Sequence, residues 1–212
     1  MRVVVTRAPG QAEPLASRIE ALGHEVVLCP LIRIDEVGSE PVDLSRYDWA
    51  IVTSPNGAAE LMRRARGRAA RVAAIGPGTA AALIRRGVVP DLVPRVSTQE
   101  GLLAELPRPA GSVLLAAAEG ARMVIVEELG ADFLPLYRTT ELRPEPPTGD
   151  LVVLASASAA RAFGALGTRI PAVSIGPQTS AAAREAGIRV VAEAERHDLG
   201  GLLDAVASLD AR

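Results

Sequence analysis

The chain repeats itself about 100 positions along its length. Ile75-Gly76-Pro77-Gly78-Thr79 and the alanine-rich run to Gly87 return without a gap as Ile175-Gly176-Pro177-Gln178-Thr179 and the run to Gly187. Gly101-Leu102-Leu103 is echoed by Gly201-Leu202-Leu203. With small shifts, Thr53-Ser54-Pro55-Asn56 aligns with Ala155-Ser156-Ala157-Ser158, and Gly23 to Ile34 aligns loosely with Gly130 to Leu142. Self-similarity of this kind marks two copies of one structural unit. A chain of 212 residues is long enough for two lobes of about 100 residues, each with its own core. Two similar lobes imply a cleft, and clefts between domains are where small-molecule sites most often lie.

Short apolar runs alternate with stretches of helical composition, the signature of βα units around a parallel sheet. Strands are predicted at Val3–Thr6, Val26–Cys29, Trp49–Thr53, Val72–Ile75, Val113–Ala116, Asp132–Leu134, Leu151–Ala155, Ala172–Ile175 and Arg189–Val191. Gly23, Gly87, Gly130 and Gly187 close helical stretches, where the left-handed conformation favours glycine. Two Pro-, Gly- and charge-rich stretches, Asp35 to Arg46 and Thr139 to Asp150, read as connectors. They cut the chain into three pieces. The first is too short to bury its faces alone, so it must combine with the last. The expected fold class is α/β, with two similar parallel-sheet, flavodoxin-like lobes joined by a two-stranded hinge. The first lobe is discontinuous, 1–36 and 144–212, and the second, 40–138, is inserted in it.

Composition excludes several functions. All 23 basic residues are Arg, so Schiff-base, P-loop and general-base lysine chemistry is absent. A formal charge of -2 and an aromatic content of 2% leave neither an electrostatic footprint nor stacking platforms for nucleic acid. The single cysteine, Cys29, lies in an apolar run and is expected in the core, in a reducing compartment. Arg2-Val3-Val4-Val5 reads as a strand rather than a signal peptide, and no apolar run approaches membrane-spanning length. A soluble, cytoplasmic protein is expected, with no membrane partner and a monomer as the default.

In open parallel sheets, ligands bind beyond the carboxyl ends of the strands, where the next helix presents unpaired N–H groups. The corresponding turns here carry Thr6-Arg7, Thr53-Ser54-Pro55-Asn56, Gly76-Pro77-Gly78-Thr79, Ser156-Ala157-Ser158 and Gly176-Pro177-Gln178-Thr179. Each is open to two readings: an ordinary helix cap, since Ser, Thr and Asn are preferred there, or an anion corner using the partial positive charge of the helix end. Recurrence in both copies favours the second for the set as a whole. The Gly-Pro-Gly spacing is not a dinucleotide fingerprint. No metal-ligand cluster or nucleophilic triad can be read. His24, after a helix-closing glycine, is expected at the surface, and His197-Asp198 is expected to cap the last helix. Glu127-Glu128 reads as a solvated pair. Tyr137, at the start of a connector, has a phenol able to donate a proton or hydrogen bond; a structural role is the competing reading.

Taken in order, these residues resemble the uroporphyrinogen-III synthase family. The resemblance rests on Val5-Thr6-Arg7-Ala8-Pro9-Gly10-Gln11-Ala12-Glu13 with Leu15, Leu22, Gly23, Pro30 and Ile32, then Thr53-Ser54-Pro55-Asn56-Gly57 and Ala74-Ile75-Gly76 with Thr79-Ala80. It continues through Leu136-Tyr137 and Ile175-Gly176 with Thr179, and so spans essentially the whole chain. It implies two α/β lobes joined by a two-stranded ladder, and cyclisation of the linear tetrapyrrole hydroxymethylbilane with inversion of its last pyrrole ring and loss of water. It implies no cofactor or metal. Carried over by motif, the substrate-binding residues are Thr6, Arg7, Ser54, Asn56, Gly76, Thr79, Ser156, Ser158, Gly176, Gln178 and Thr179, with Tyr137 as the catalytic group and Ser97-Thr98 as further lining. The turn Ala116-Ala117-Ala118-Glu119 lacks the basic residue sometimes found in the family, for which Arg122 is the candidate substitute. The expected partners are the substrate and, transiently, the enzyme that supplies it. The competing function is a non-catalytic two-lobe sensor or binding protein for an anionic metabolite.

Overall fold

The computed structural model describes residues 1–210. The chain begins with β1 (Arg2–Val5), α1 (Glu13–Ala21), β2 (Glu25–Leu28) and β3 (Ile32–Glu36). It continues through β4 (Val42–Asp43), β5 (Trp49–Val52), α2 (Pro55–Arg64), β6 (Ala65–Arg66), β7 (Arg71–Ala74), α3 (Pro77–Ile84) and α4 (Gln99–Glu105). Next come β8 (Val113–Ala118), α5 (Val124–Leu129) and β9 (Asp132–Glu141). It ends with β10 (Leu151–Leu154), α6 (Ala157–Gly164), β11 (Ala172–Ser174), α7 (Pro177–Glu185), β12 (Val190–Glu193) and α8 (Leu199–Asp210). No helix among the described residues is long and apolar enough to cross a membrane.

Contacts divide the chain into two compact units, Met1–Arg33 with Thr140–Arg212, and Ile34–Thr139. The first unit holds a five-stranded sheet in the order β12-β11-β10-β1-β2, and every adjacent pair is parallel. Counted within the unit this is the 2-1-3-4-5 winding of the flavodoxin-like folds. Its central strands are apolar and buried over Val3–Val5 and Leu151–Leu154, as strands covered on both faces require. Alternate residues of each strand serve opposite layers. Val3, Val5, Leu151 and Val153 pack with Leu15 and Ile19 of α1 and with Leu202 and Val206 of α8. Val4, Val152 and Leu154 pack with Ala160 and Phe163 of α6 and with Ala182 and Ala183 of α7.

The second unit has the order β3-β9-β8-β5-β7, parallel from β9 to β7. Here Val52, Leu114 and Ala116 pack against α2 and α3, while Ile51, Ala73 and Leu115 pack against Leu102 of α4 and Ile125 of α5. An isolated parallel bridge from Ala73 to Leu92 stands where the first unit has β12. The two windings therefore superpose strand for strand as β2-β1-β10-β11 on β9-β8-β5-β7. In chain order, however, the β1-α1-β2 piece precedes the rest of the first unit, and its counterpart β8-α5-β9 follows the rest of the second. The repeat is a tandem one whose short pieces have changed places, so repeat boundaries and unit boundaries do not coincide.

All nine predicted strands are present, shifted by a residue or two, and the helix-closing glycines have positive φ, 78° at both Gly87 and Gly187. Strand β9 runs to Glu141, well past the predicted end at Leu134, because its second half is paired beside β3. Cys29 is buried as expected, and burial pushes its thiol pKa up. His24 is not at the surface: it is 8% exposed, drawn in where the chain turns from α1 into β2. The Gly-Leu-Leu echo also has a physical cause. The N–H of Gly101 donates to Thr98 Oγ1 and that of Gly201 to Asp198 Oδ1, and in each case a Cβ would strike the carbonyl of the residue five positions earlier, Val96 or Arg196.

Gly201→Ala is therefore expected to lose ~1–3 kcal/mol of stability by overpacking against backbone. Gly120→Ala, with nothing within 4 Å of its added carbon, is expected to stay within ~0.5 kcal/mol. Urea unfolding of both variants checks the pair.

Candidate functional site

Helices α1 and α6 leave the neighbouring strands β1 and β10 on opposite faces of the first sheet, which opens a crevice at the carboxyl ends of those strands. A pocket of about 210 Å³ occupies it. Four candidate residues, Thr6, Arg7, Ser156 and Ser158, line it together with Gln11, Ile32 and Glu141. Thr6 is buried and donates through Oγ1 to the carbonyl of Val153 at 3.3 Å, so its hydroxyl ties β1 to β10. Arg7 Nε donates to the carbonyl of Gln11 at 3.0 Å, which turns the guanidinium along the pocket wall. Burial lowers the Arg7 pKa, yet an arginine remains charged. Ser156 caps α6 by accepting from the N–H of Ala159 at 3.1 Å, and its oxygen lies 3.0 Å from that of the exposed Ser158.

The equivalent crevice of the second unit, between β8 and β5, is occupied differently. Ser54 caps α2, accepting from the N–H of Gly57 at 2.9 Å, and its oxygen also accepts from the Tyr137 hydroxyl at 2.8 Å. Both lone pairs of the serine are then in use, and its own proton remains to be donated. Tyr137 is 8% exposed, its ring set in the cluster that includes Val52, Ala116 and Leu136. The segment Pro135-Leu136-Tyr137-Arg138 answers Pro30-Leu31-Ile32-Arg33, so the phenol has the place that Ile32 takes beside the first pocket. Tyr137 and Ser54 lie 83 positions apart, and no spacing rule joins them. Asn56 sits partly buried in the first turn of the same helix.

The two repeated Gly-Pro corners begin α3 and α7. Gly76 and Gly176 are extended, and each is covered by the residue 21 positions later: a Cβ on Gly76 would meet Ser97 Oγ at 2.5 Å, and one on Gly176 would meet the His197 ring at 3.0 Å. Thr79 and Thr179 are 3% and 4% exposed, facing inward rather than lining the corner surface. What each corner displays is Gly78 in one unit and Gln178 in the other, with N–H groups that have no acceptor inside the helix. Thr98 caps α4. His197 is exposed, and its neighbour Asp198 supplies the cap for α8, where the Gly201 N–H holds its carboxyl below the usual range.

Arg122, the candidate for the missing basic residue of the β8 turn, is engaged in a surface ion pair. Both of its terminal nitrogens bond Glu100, at 2.6 and 2.9 Å, and this pairing lowers the Glu100 pKa to about 2. Glu119 of that turn is likewise bound by Arg138. Glu127 and Glu128 are exposed, as read. Among the described residues no group of three or more His, Cys, Asp or Glu side chains could hold a metal ion. A larger hollow, about 590 Å³, lies by the amino end of β7 and includes none of the candidates. The arrangement offers small hydroxyls, helix ends, the Arg7 guanidinium and one phenol.

The Tyr137–Ser54 contact is measurable apart from activity. Ser54→Ala is expected to cost ~1 kcal/mol for the lost cap, and a double-mutant cycle with Tyr137→Phe should give a coupling of ~0.5–1.5 kcal/mol in urea unfolding. Additive losses would mean that the bond is not made in solution.

A family model for Uroporphyrinogen-III synthase HemD matches residues 13–204. A curated relative from Methanocaldococcus jannaschii is 30% identical over 151 residues; the alignment spans 66% of this chain and 63% of that protein's length. The uroporphyrinogen-III synthase of Synechococcus elongatus is 28% identical, across 96% of this chain and 93% of its own. The crystal structure of uroporphyrinogen-III synthetase from Helicobacter pylori shares the fold, with a TM-score of 0.64 at 18% identity over 99% of this chain and all of that one. With the family model covering nearly its whole length, this chain belongs to the uroporphyrinogen-III synthase family, the cyclising lyases of haem biosynthesis.

Proposed function

We propose that the chain cyclises hydroxymethylbilane to uroporphyrinogen III with Tyr137 and Ser54 as its proton-delivering pair. The substrate is already reactive. Departure of its hydroxyl breaks one C–O bond and leaves an azafulvene, whose methylene carbon is the electrophile. Unassisted closure onto the free position of the terminal ring yields the uninverted isomer I. Isomer III requires attack from the substituted position of that ring, a spiro intermediate, its fragmentation and a second closure. The ring proton released at the end balances the one taken by the departing hydroxyl, so the net loss is one water. Selection between these outcomes is a matter of holding reactants in one geometry, and oriented binding can lower a barrier by several kcal/mol without a strong acid or base.

The observation that carries the assignment is the 2.8 Å bond from the Tyr137 hydroxyl to Ser54. With both lone pairs of Ser54 in use, a substrate hydroxyl placed beside it receives the serine proton, and the phenol replaces that proton. The substrate's acetate and propionate groups suit small anion corners: in the first unit the pocket of Thr6, Arg7, Ser156 and Ser158 and the start of α7 with Gly176 and Gln178, and in the second the first turn of α2 with Asn56 and the start of α3 with Gly76. Such corners bind carboxylates without net positive charge, in keeping with a chain of formal charge -2. We take the protein to act as a cytoplasmic monomer.

The test is to supply freshly generated hydroxymethylbilane, oxidise the products and separate the porphyrin isomers. Predominant isomer III is expected; isomer I alone at the background rate, with tetrapyrrole bound, would instead make the protein a sensor. Tyr137→Phe is expected to lower kcat by roughly 10²-fold, the low end for a general acid, with little change in KM. A variant with full rate removes the phenol from the mechanism.

A further inference from the structure

Compared position by position, the two copies of the Gly-Pro corner differ in a hydroxyl network that starts on buried serines and ends on the exposed Glu193. Ser174 ends β11 and Ser180 lies in the first turn of α7; both are 0% exposed, and their hydroxyl oxygens are 2.6 Å apart. Ser180 Oγ donates onward to Oε2 of Glu193, the last residue of β12, which is Ser174's partner in the β11–β12 register. A hydroxyl has one proton. Since that of Ser180 is committed to the carboxylate, that of Ser174 is directed at Ser180, and the chain runs one way from Ser174 to Ser180 to Glu193. The residues 100 positions earlier are Ala74, Ala80 and Val93. There the same strand, turn and helix are built with Ala74 and Ala80 buried, and no hydroxyl at either position.

The second unit thus shows that the fold does not need these polar groups. Burying hydroxyls costs free energy that alanine avoids, and a satisfied network returns rigidity rather than stability. In the first unit the network brackets the turn from Ser174 to Ser180, within which lie Gly176, Gln178 and Thr179. The backbone N–H of Ser180 donates to the carbonyl of Gly176, and the ring of His197 closes over Gly176 from outside. The turn is therefore held at its strand end, at its helix end and from above. Its counterpart at Gly76 has the equivalent backbone bond, from the N–H of Ala80, and Ser97 over it, so the hydroxyl network is what the Gly176 turn has in addition.

We propose that Ser174, Ser180 and Glu193 are positioning residues for the synthase reaction, fixing the Gly176–Thr179 turn so that Gln178 and the first N–H groups of α7 hold one substrate carboxylate in a single place. This rests on the function proposed above and adds to it that the corner at α7 orients the substrate rather than merely binding it. Misplacement by about 1 Å is enough to cost a large factor in rate when selection depends on geometry.

The experiment replaces the network by its own repeat counterpart, Ser174→Ala with Ser180→Ala and Glu193→Val, with Glu193→Gln as the conservative variant. The wild-type isomer assay is run first. Its failure overturns the function, whereas the present inference is judged only on variants of an active enzyme. The triple variant is expected to unfold in urea at the wild-type midpoint or above it. Its kcat/KM for isomer III should fall at least about tenfold, carried by kcat, and the share of isomer I should rise. Glu193→Gln, which keeps an acceptor for Ser180, is expected to retain most of the isomer selectivity. An unchanged isomer ratio in a stably folded triple variant overturns the proposal, and so does a rate loss that only tracks lost stability.

Discussion

The parallel pairing of β1 with β10 is the contact on which the first unit depends. It joins Val3, Val4 and Val5 to Leu151, Val152 and Val153 across almost the whole intervening chain. Closing so long a loop carries an entropic cost, but that cost grows only slowly with loop length, and an inserted unit that folds on its own nuclei reduces it further. The return is the burial of six apolar side chains between two helical layers. The pairing also creates the crevice, because α1 and α6 must leave adjacent strands in opposite directions. The bond from Thr6 to Val153 sits at the mouth of that crevice, so the residue that opens the pocket also fastens the strands that form it.

Exchange of the short βαβ pieces between repeats explains why two connectors are unavoidable. Each unit takes its edge and first central strand from one copy and the remainder from the other. The chain must therefore cross between units once after residue 33 and once after residue 139, and β3 and β9 are the crossing segments. A tandem repeat folded without the exchange would need one crossing. The second crossing makes the first unit discontinuous.

Much of this was legible because the features responsible are local. Glycine closes helices through a backbone conformation other residues avoid, and continuous apolar runs mark strands covered on both faces, so the nine strands and the α/β class follow from short windows of sequence. The site was legible only as a set of corners. Which hydroxyls face outward is decided by tertiary packing: Ser156 and Ser158 line a pocket, while Thr79 and Thr179, of the same residue class and in equally suitable turns, point into the core. The Tyr137–Ser54 bond joins elements separated by β8, and Arg122, in the loop before α5, is engaged by Glu100 of α4. The burial of His24 is not legible locally, because a helix-closing glycine says where a helix stops and nothing about what the next residue packs against. The Ser/Ala difference at 174 and 74, and again at 180 and 80, is visible by laying the gapless repeats side by side.

That difference bears on how a site made of weak groups works at all. A hydroxyl, a helix end or a phenol supplies about one hydrogen bond's worth of net stabilisation, typically ~1 kcal/mol, which is far too little to redirect a reaction by strength. Redirection is possible when the competing closures of the substrate differ mainly in geometry, because the penalty for the wrong one is then set by the stiffness of the surroundings rather than by the depth of any single interaction. Stiffness in this chain comes from the sheet. Each corner is the first turn of a helix whose layer is packed on strands tied to one another by parallel backbone ladders. Where sheet packing alone leaves a turn only loosely determined, as with small residues over a glycine, a buried hydroxyl network can remove the remaining freedom without changing the fold. The duplicated unit makes that separation of fold from precision visible, since one copy carries the network and the other does without it.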